Sequence, residues 1–77
     1  MNYERLNDLR LLGLTIAYYR RAKGMTQAEL AEAVHISCTH MSNIEAPNSH
    51  TSLSLNKLMD IAESLEIPLK TLFDFKR

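Results

Sequence analysis

Between Thr26 and Glu45 the apolar positions fall into two short runs of helical spacing with a break between them. Leu30, Ala31 and Val34 stand at i, i+1 and i+4, which places them on one helical face. Met41 and Ile44 stand four and seven residues after Ser37. Each run is preceded by a residue able to cap a helix. The Thr26 hydroxyl can accept from a free N–H of the opening turn, and Glu29 three residues later completes a capping box. Ser37 is the second N-cap. His35-Ile36 breaks the period and predicts a tight turn. The side of the second helix away from Met41 and Ile44 carries Cys38, Thr39, His40, Ser42 and Asn43, all small or polar and formally uncharged. Two short helices, a turn and an unpaired polar face predict a helix-turn-helix at about residues 26–45.

The flanking patterns are also helical. From residue 3 to about 23, Leu9, Leu12, Ile16 and Tyr19 form one stripe, extended by Leu6, that should face the core. A second stripe, Leu11, Leu14 and Tyr18, lies to its side. Either a C-terminal segment covers it, with Phe75 as the candidate, or it is an interface for a subunit or partner. Gly24 should end this helix in the left-handed conformation, with Met25 plugging the core. The polar stretch Ala46-Pro47-Asn48-Ser49-His50-Thr51-Ser52 reads as a loop. Ser54 caps a fourth helix that has Lys57 at its third position. Leu55, Leu58, Ile61, Ala62 and Leu65 are expected to form its buried stripe, widened by Met59, with Asp60 and Glu63 solvated. Pro68 stands at or near the first position of a short last helix, and Leu69, Leu72 and Phe73 should close the core. The expectation is one all-α domain of five helices spanning 1–77.

Composition narrows the chemistry. The single cysteine, Cys38, cannot form an internal disulfide, which fits a reducing compartment. No apolar run approaches the ~20 residues of a membrane span, and the N-terminus lacks a signal-peptide core, so a cytoplasmic protein is expected. Nine basic residues balance nine acidic ones. Zero net charge argues mildly against nucleic acid, because phosphate neutralisation supplies much of such affinity. Distribution matters more than the sum. Arg20, Arg21 and Lys23 cluster at the end of the first helix, and between His35 and Leu53 the only formal charge is Glu45. His35, His40 and His50 lack metal-ligand spacing, and Cys38 and His40, two apart on a helix, do not face each other. With no nucleophile–base constellation, no glycine-rich phosphate loop and no paired carboxylates, neither an enzyme nor a cofactor is expected.

The residues Leu12-Gly13, Ile16, Arg20, Lys23-Gly24-Met25-Thr26-Gln27, Glu29-Leu30-Ala31, Ile36-Ser37, Met41-Ser42, Ile44-Glu45 and Leu58…Ile61-Ala62…Leu65 resemble the XRE family of phage Cro and repressor proteins. The resemblance runs from roughly Leu12 to Phe73. It implies a bundle of the lambda-repressor-like type, with a buried Arg20–Glu45 ion pair tying the first helix to the recognition helix. It implies that Cys38, Thr39, His40 and Asn43 face bases in the major groove while Ser42 lies nearer the backbone. Asn43 is the first choice as reader, because its amide can pair with the N6 and N7 edge of adenine. Gln27 should bond a phosphate and brace the recognition helix. Free N–H groups at the helix start by Ser37, and the loop around Asn48, should meet phosphates. The chain departs from the family at His35 and Glu66, where glycine is common, and in a longer loop after Glu45. His35 is read as a turn residue with positive φ.

A double-stranded DNA operator is the expected partner. One helix-turn-helix reads only a few base pairs, so the resemblance implies a homodimer on a two-fold site. The C-terminal helices are the favoured dimer surface, and Leu11, Leu14 and Tyr18 the rival. The expected function is a bacterial or phage transcriptional regulator, a repressor. The alternative is an antitoxin-like or partner-binding protein whose main role is protein–protein interaction, and the second apolar stripe of the first helix favours it.

Overall fold

Among the described residues five helices follow one another: α1 (Tyr3–Ala22), α2 (Gln27–Ala33), α3 (Cys38–Glu45), α4 (Leu55–Leu65) and α5 (Leu69–Leu72). The computed structural model describes residues 3–47, 51 and 53–74, and no strand occurs among them. Three helix starts are fixed by side-chain caps. Thr26 and Glu29 form a reciprocal capping box on α2, with Glu29 N–H donating to Thr26 Oγ1 at 3.0 Å and Thr26 N–H to Glu29 Oε1 at 2.8 Å. The Thr26 backbone N–H first, and its hydroxyl second, hold the exposed Glu29 carboxylate below its usual pKa. Ser37 Oγ accepts from His40 N–H at 2.9 Å, and Ser54 Oγ from Lys57 N–H at 3.1 Å.

Three helix ends share one geometry. Gly24, His35 and Glu66 adopt φ of 77°, 60° and 59°. Each donates its N–H to the carbonyl three residues back: Gly24 to Arg21, His35 to Glu32 and Glu66 to Glu63. The next residue donates to the carbonyl five back: Met25 to Arg20, Ile36 to Ala31 and Ile67 to Ala62, each at 3.0 Å. These paired bonds satisfy carbonyls that the helix end leaves open, and the residue after the left-handed one characteristically packs inward. Met25, Ile36 and Ile67 all pack against the core. Only the first end uses glycine. Left-handed φ costs a side-chain-bearing residue roughly 1–2 kcal/mol. His35→Gly is therefore expected to raise stability by about 1 kcal/mol, seen as a rise of roughly 4–8 °C in the thermal midpoint. An unchanged or lower midpoint would mean that the imidazole contributes more than the strain costs.

Every helix contributes a fully buried side chain to one core: Ile16, Leu30, Met41, Ile61 and Leu72, each with no exposed surface. Val34 joins them at the end of α2. Burying each large apolar group contributes about 1.5–3 kcal/mol. Leu12 and Tyr19 pack on this core from α1 as their spacing predicted, and Ala17 is buried beside Ile16.

Three expectations of burial fail. Leu55 is 61% exposed, Met59 45% and Phe73 46%. The buried arc of α4 is centred on Leu58, Ile61, Ala62 and Leu65. At about 100° per residue, Leu55 and Met59 fall beyond one edge of that arc. α5 is a single turn that ends at Leu72, leaving Phe73 on its rim. Pro68 is the N-cap of α5, one residue before its first position, as expected. Of the second α1 stripe, Leu14 and Tyr18 stand exposed, while Leu11 is half-buried. The Tyr18 ring meets that of Tyr19 edge-on, with centroids 5.0 Å apart. The suggested cover, Phe75, lies outside the described residues.

Candidate nucleic-acid interface

α3 is eight residues long and presents two unlike faces. Met41, Ile44 and Glu45 turn inward and are buried. Ser37, Cys38, Thr39, Ser42 and Asn43 are exposed, and His40 is half-buried. Gln27, at the start of α2, is half-buried too. The polar residues read from the sequence thus share one helix face and its N-terminal cap, with Gln27 set deeper. Asn48 falls outside the described residues.

The inner end of α3 is held by a polar network. Arg20 donates through Nε to Glu45 Oε2 at 2.8 Å and through Nη2 to Oε1 at 3.0 Å, a two-pronged ion pair. Its Nη1 donates to the Met25 carbonyl at 2.7 Å. Gln27 Nε2 donates to Glu45 Oε1 at 2.9 Å. The side-chain bonds to Glu45 hold the Arg20 guanidinium above its usual pKa, against the opposing effect of burial, and the carboxylate charge adds to them. α1, α2 and α3 are joined here, and among the described residues no buried side-chain polar atom lacks a bond. Such a pair is weak evidence for stability as such. Its consequence is orientation: the guanidinium fork accepts one carboxylate geometry, so Glu45 and the helix that carries it take one angle.

Gly13 sets the distance. It is buried on α1 against the last turn of α3, and a Cβ there would run into the Ile44 carbonyl oxygen while standing 3.4 Å from Glu45 Cα. The sequence singles out Leu12-Gly13 only through the family resemblance, and no periodicity explains the glycine. The Gln27–Glu45 bond likewise joins residues too far apart in sequence for spacing to reveal.

The charge around α3 is unusual. No lysine or arginine stands between Lys23 and Lys57, whereas Glu29, Glu32 and Glu45 do. The basic cluster at the end of α1 is largely engaged within the protein. Arg20 is buried in the pair with Glu45, and Lys23 Nζ donates to Glu66 Oε1 at 2.6 Å. That contact holds the exposed Glu66 carboxylate below its usual pKa, first through the hydrogen bond and then through the charge. Among the described residues no three His, Cys, Asp or Glu side chains gather as a metal-binding group. No helix among them is long and apolar enough to cross a membrane.

A helix-turn-helix family model matches residues 16–72. The chain is 33% identical over 66 residues to the HTH-type transcriptional regulator SinR of Bacillus subtilis (strain 168), covering 86% of this chain and 59% of SinR. It therefore spans less than two thirds of that relative. The crystal structure of SinR, the master regulator for biofilm formation, in complex with DNA superposes with a TM-score of 0.74, covering 82% of this chain and 98% of that one, at 33% identity. The restriction-modification controller protein C.AhdI of Aeromonas hydrophila gives a TM-score of 0.78 at 27% identity, covering 86% of this chain and 97% of that one. The clp gene regulator ClgR of Corynebacterium glutamicum gives 0.76 at 27% identity, over 82% and 65% of the two chains.

Proposed function

The chain belongs to the XRE-type helix-turn-helix family, and from that premise we propose that it is a DNA-binding transcriptional regulator that reads an operator with α3. The observation that carries the reading is the exposed polar face of α3, capped at Ser37 and fixed at its other end by Arg20, Glu45 and Gln27. A reading helix must present several donors and acceptors at one angle, and this network sets that angle from the side away from the reading face.

Asn43 pairs with the N6 and N7 edge of adenine. Thr39 meets a thymine methyl or a phosphate, His40 a guanine N7 or a phosphate, and Cys38 reads shape. Ser37 and Ser42 lie at the backbone. Gln27 braces α3 through Glu45 and reaches a phosphate only from that fixed position. The lack of cations from residue 24 to 56 puts positioning on neutral hydrogen bonds. The protein acts as a cytoplasmic homodimer and as a repressor, on a two-fold operator with half-sites about one helical turn apart.

Selection of bound sequences from a random duplex library by the purified protein tests this. The expected result is a two-fold motif. Asn43→Ala should relax a single half-site position by about 1–3 kcal/mol of discrimination and leave the rest. The salt dependence of binding to the selected duplex should be shallow, because few counterions are displaced. No enrichment at low salt with folded protein overturns the reading. A second reading, a module that chiefly binds another protein, is favoured by Leu14, 40% exposed, and Tyr18, 64% exposed, on one face of α1. Co-purification of a second chain that Leu14→Ser with Tyr18→Ser releases would support it.

A further inference from the structure

One polar bond ties α4 to the turn between α2 and α3. The Lys57 ammonium donates to the Val34 carbonyl oxygen at 2.6 Å, although 23 residues separate them. Val34 is the C-cap of α2, and α2 has no basic residue in its own last turn. The cation therefore meets the negative end of that helix, where carbonyls are left open. Lys57 is held for the task. Its backbone N–H donates to Ser54 Oγ, and the Asp60 carboxylate stands 3.6 Å from its Nζ. The side chain is half-buried. The residue after Val34 is His35, at left-handed φ, and two residues on is Ser37, the cap of α3. The turn at Val34, His35 and Ile36 links α2 to α3, so a small rotation there swings the first turn of α3, while Glu45 anchors its last.

The geometry points to Lys57 as a positioning residue for the reading helix, an ammonium cap from α4 that fixes the α2–α3 turn without lying on the polar face. The consequence for DNA rests on the regulatory reading above. The hold on the turn does not, so the two can be tested apart.

Lys57→Met and Lys57→Arg variants of the full chain decide it by two measurements. The first is native-state amide hydrogen exchange. Ile36 N–H closes the α2 end, and Met25 and Ile67 N–H close the matching ends of α1 and α4. In Lys57→Met, Ile36 should exchange about tenfold faster, the scale of one charge-assisted hydrogen bond, while Met25 and Ile67 keep their rates. Lys57→Arg should retain most of the protection. The second is binding to a duplex selected by the unaltered protein, across a range of salt. Lys57→Met should weaken binding about threefold or more at every salt concentration and leave the salt slope unchanged. Three results overturn the proposal: no change at Ile36, equal acceleration at all three amides, or a slope reduced by about one, which marks a phosphate contact. If the unaltered protein selects no duplex, the regulatory reading fails, and the exchange ratio still settles whether Lys57 holds the turn.

Discussion

Glu45→Ala should cost about 3–5 kcal/mol of folding stability, most of what a domain this small has to lose. The substitution leaves the Arg20 side chain buried at 8% exposure with its two-pronged partner gone, and takes from Gln27 its acceptor. An uncompensated buried charge is what makes such losses large. The pair itself is not strongly stabilising, because its attraction is offset by the cost of removing both groups from water. Arg20→Met combined with Glu45→Leu should therefore recover most of the lost stability. Urea denaturation of the two variants checks both halves. A loss below about 1 kcal/mol in Glu45→Ala would show that the pair is effectively solvated. The double variant should fold and yet bind a selected duplex more weakly than the parent, since the fork that fixes the angle of α3 is gone.

Gly13→Ala is expected to be nearly as damaging, by the opposite mechanism. One added methyl meets the Ile44 carbonyl oxygen and lies 3.3 Å from its carbon. Both atoms belong to backbone, so no side-chain rotation relieves the clash, and α1 and α3 must separate. Overpacking of this kind typically costs 1–3 kcal/mol, and the rigid neighbour puts this site at about the upper end. At roughly 4–8 °C per kcal/mol, the thermal midpoint should fall by more than about 10 °C. Moving α3 outward also stretches the bonds from Arg20 and Gln27 to Glu45, so the effects of Gly13→Ala and Glu45→Ala should be less than additive. Full additivity would mean that the helices part without disturbing the pair.

The parts of this structure that depend on neighbours in sequence are legible in the chain. Thr26 with Glu29, Ser37 and Ser54 announce three helix starts through local donor–acceptor chemistry, and Gly24 and His35 announce two ends. The polar face Cys38–Asn43 follows from helical spacing once those starts are set. Glu66 as a left-handed cap is less visible, because a glutamate there signals nothing unless the family's glycine is known. Periodicity places Leu55, Met59 and Phe73 inward because it gives the direction of a buried face but not its width, which depends on what packs opposite. Only the family resemblance points to the Arg20–Glu45 pair. That Gln27 braces the recognition helix follows from the resemblance alone, which does not name Glu45 as its acceptor; the bond from Lys57 to Val34 has no signal in the chain, since a lysine side chain is ordinarily solvated and nothing local marks this one as an exception.

The stretch without lysine or arginine bears on how such a protein spends its time in a cell. Non-specific affinity for a chromosome comes almost wholly from cations on phosphates. If α3 is the contact surface, as proposed, the protein should leave random duplex soon after meeting it, travel little along the contour, and explore mainly by free diffusion. Fewer copies are then held at decoy positions, so a modest number of molecules keeps an operator occupied, and occupancy follows synthesis and degradation with little delay.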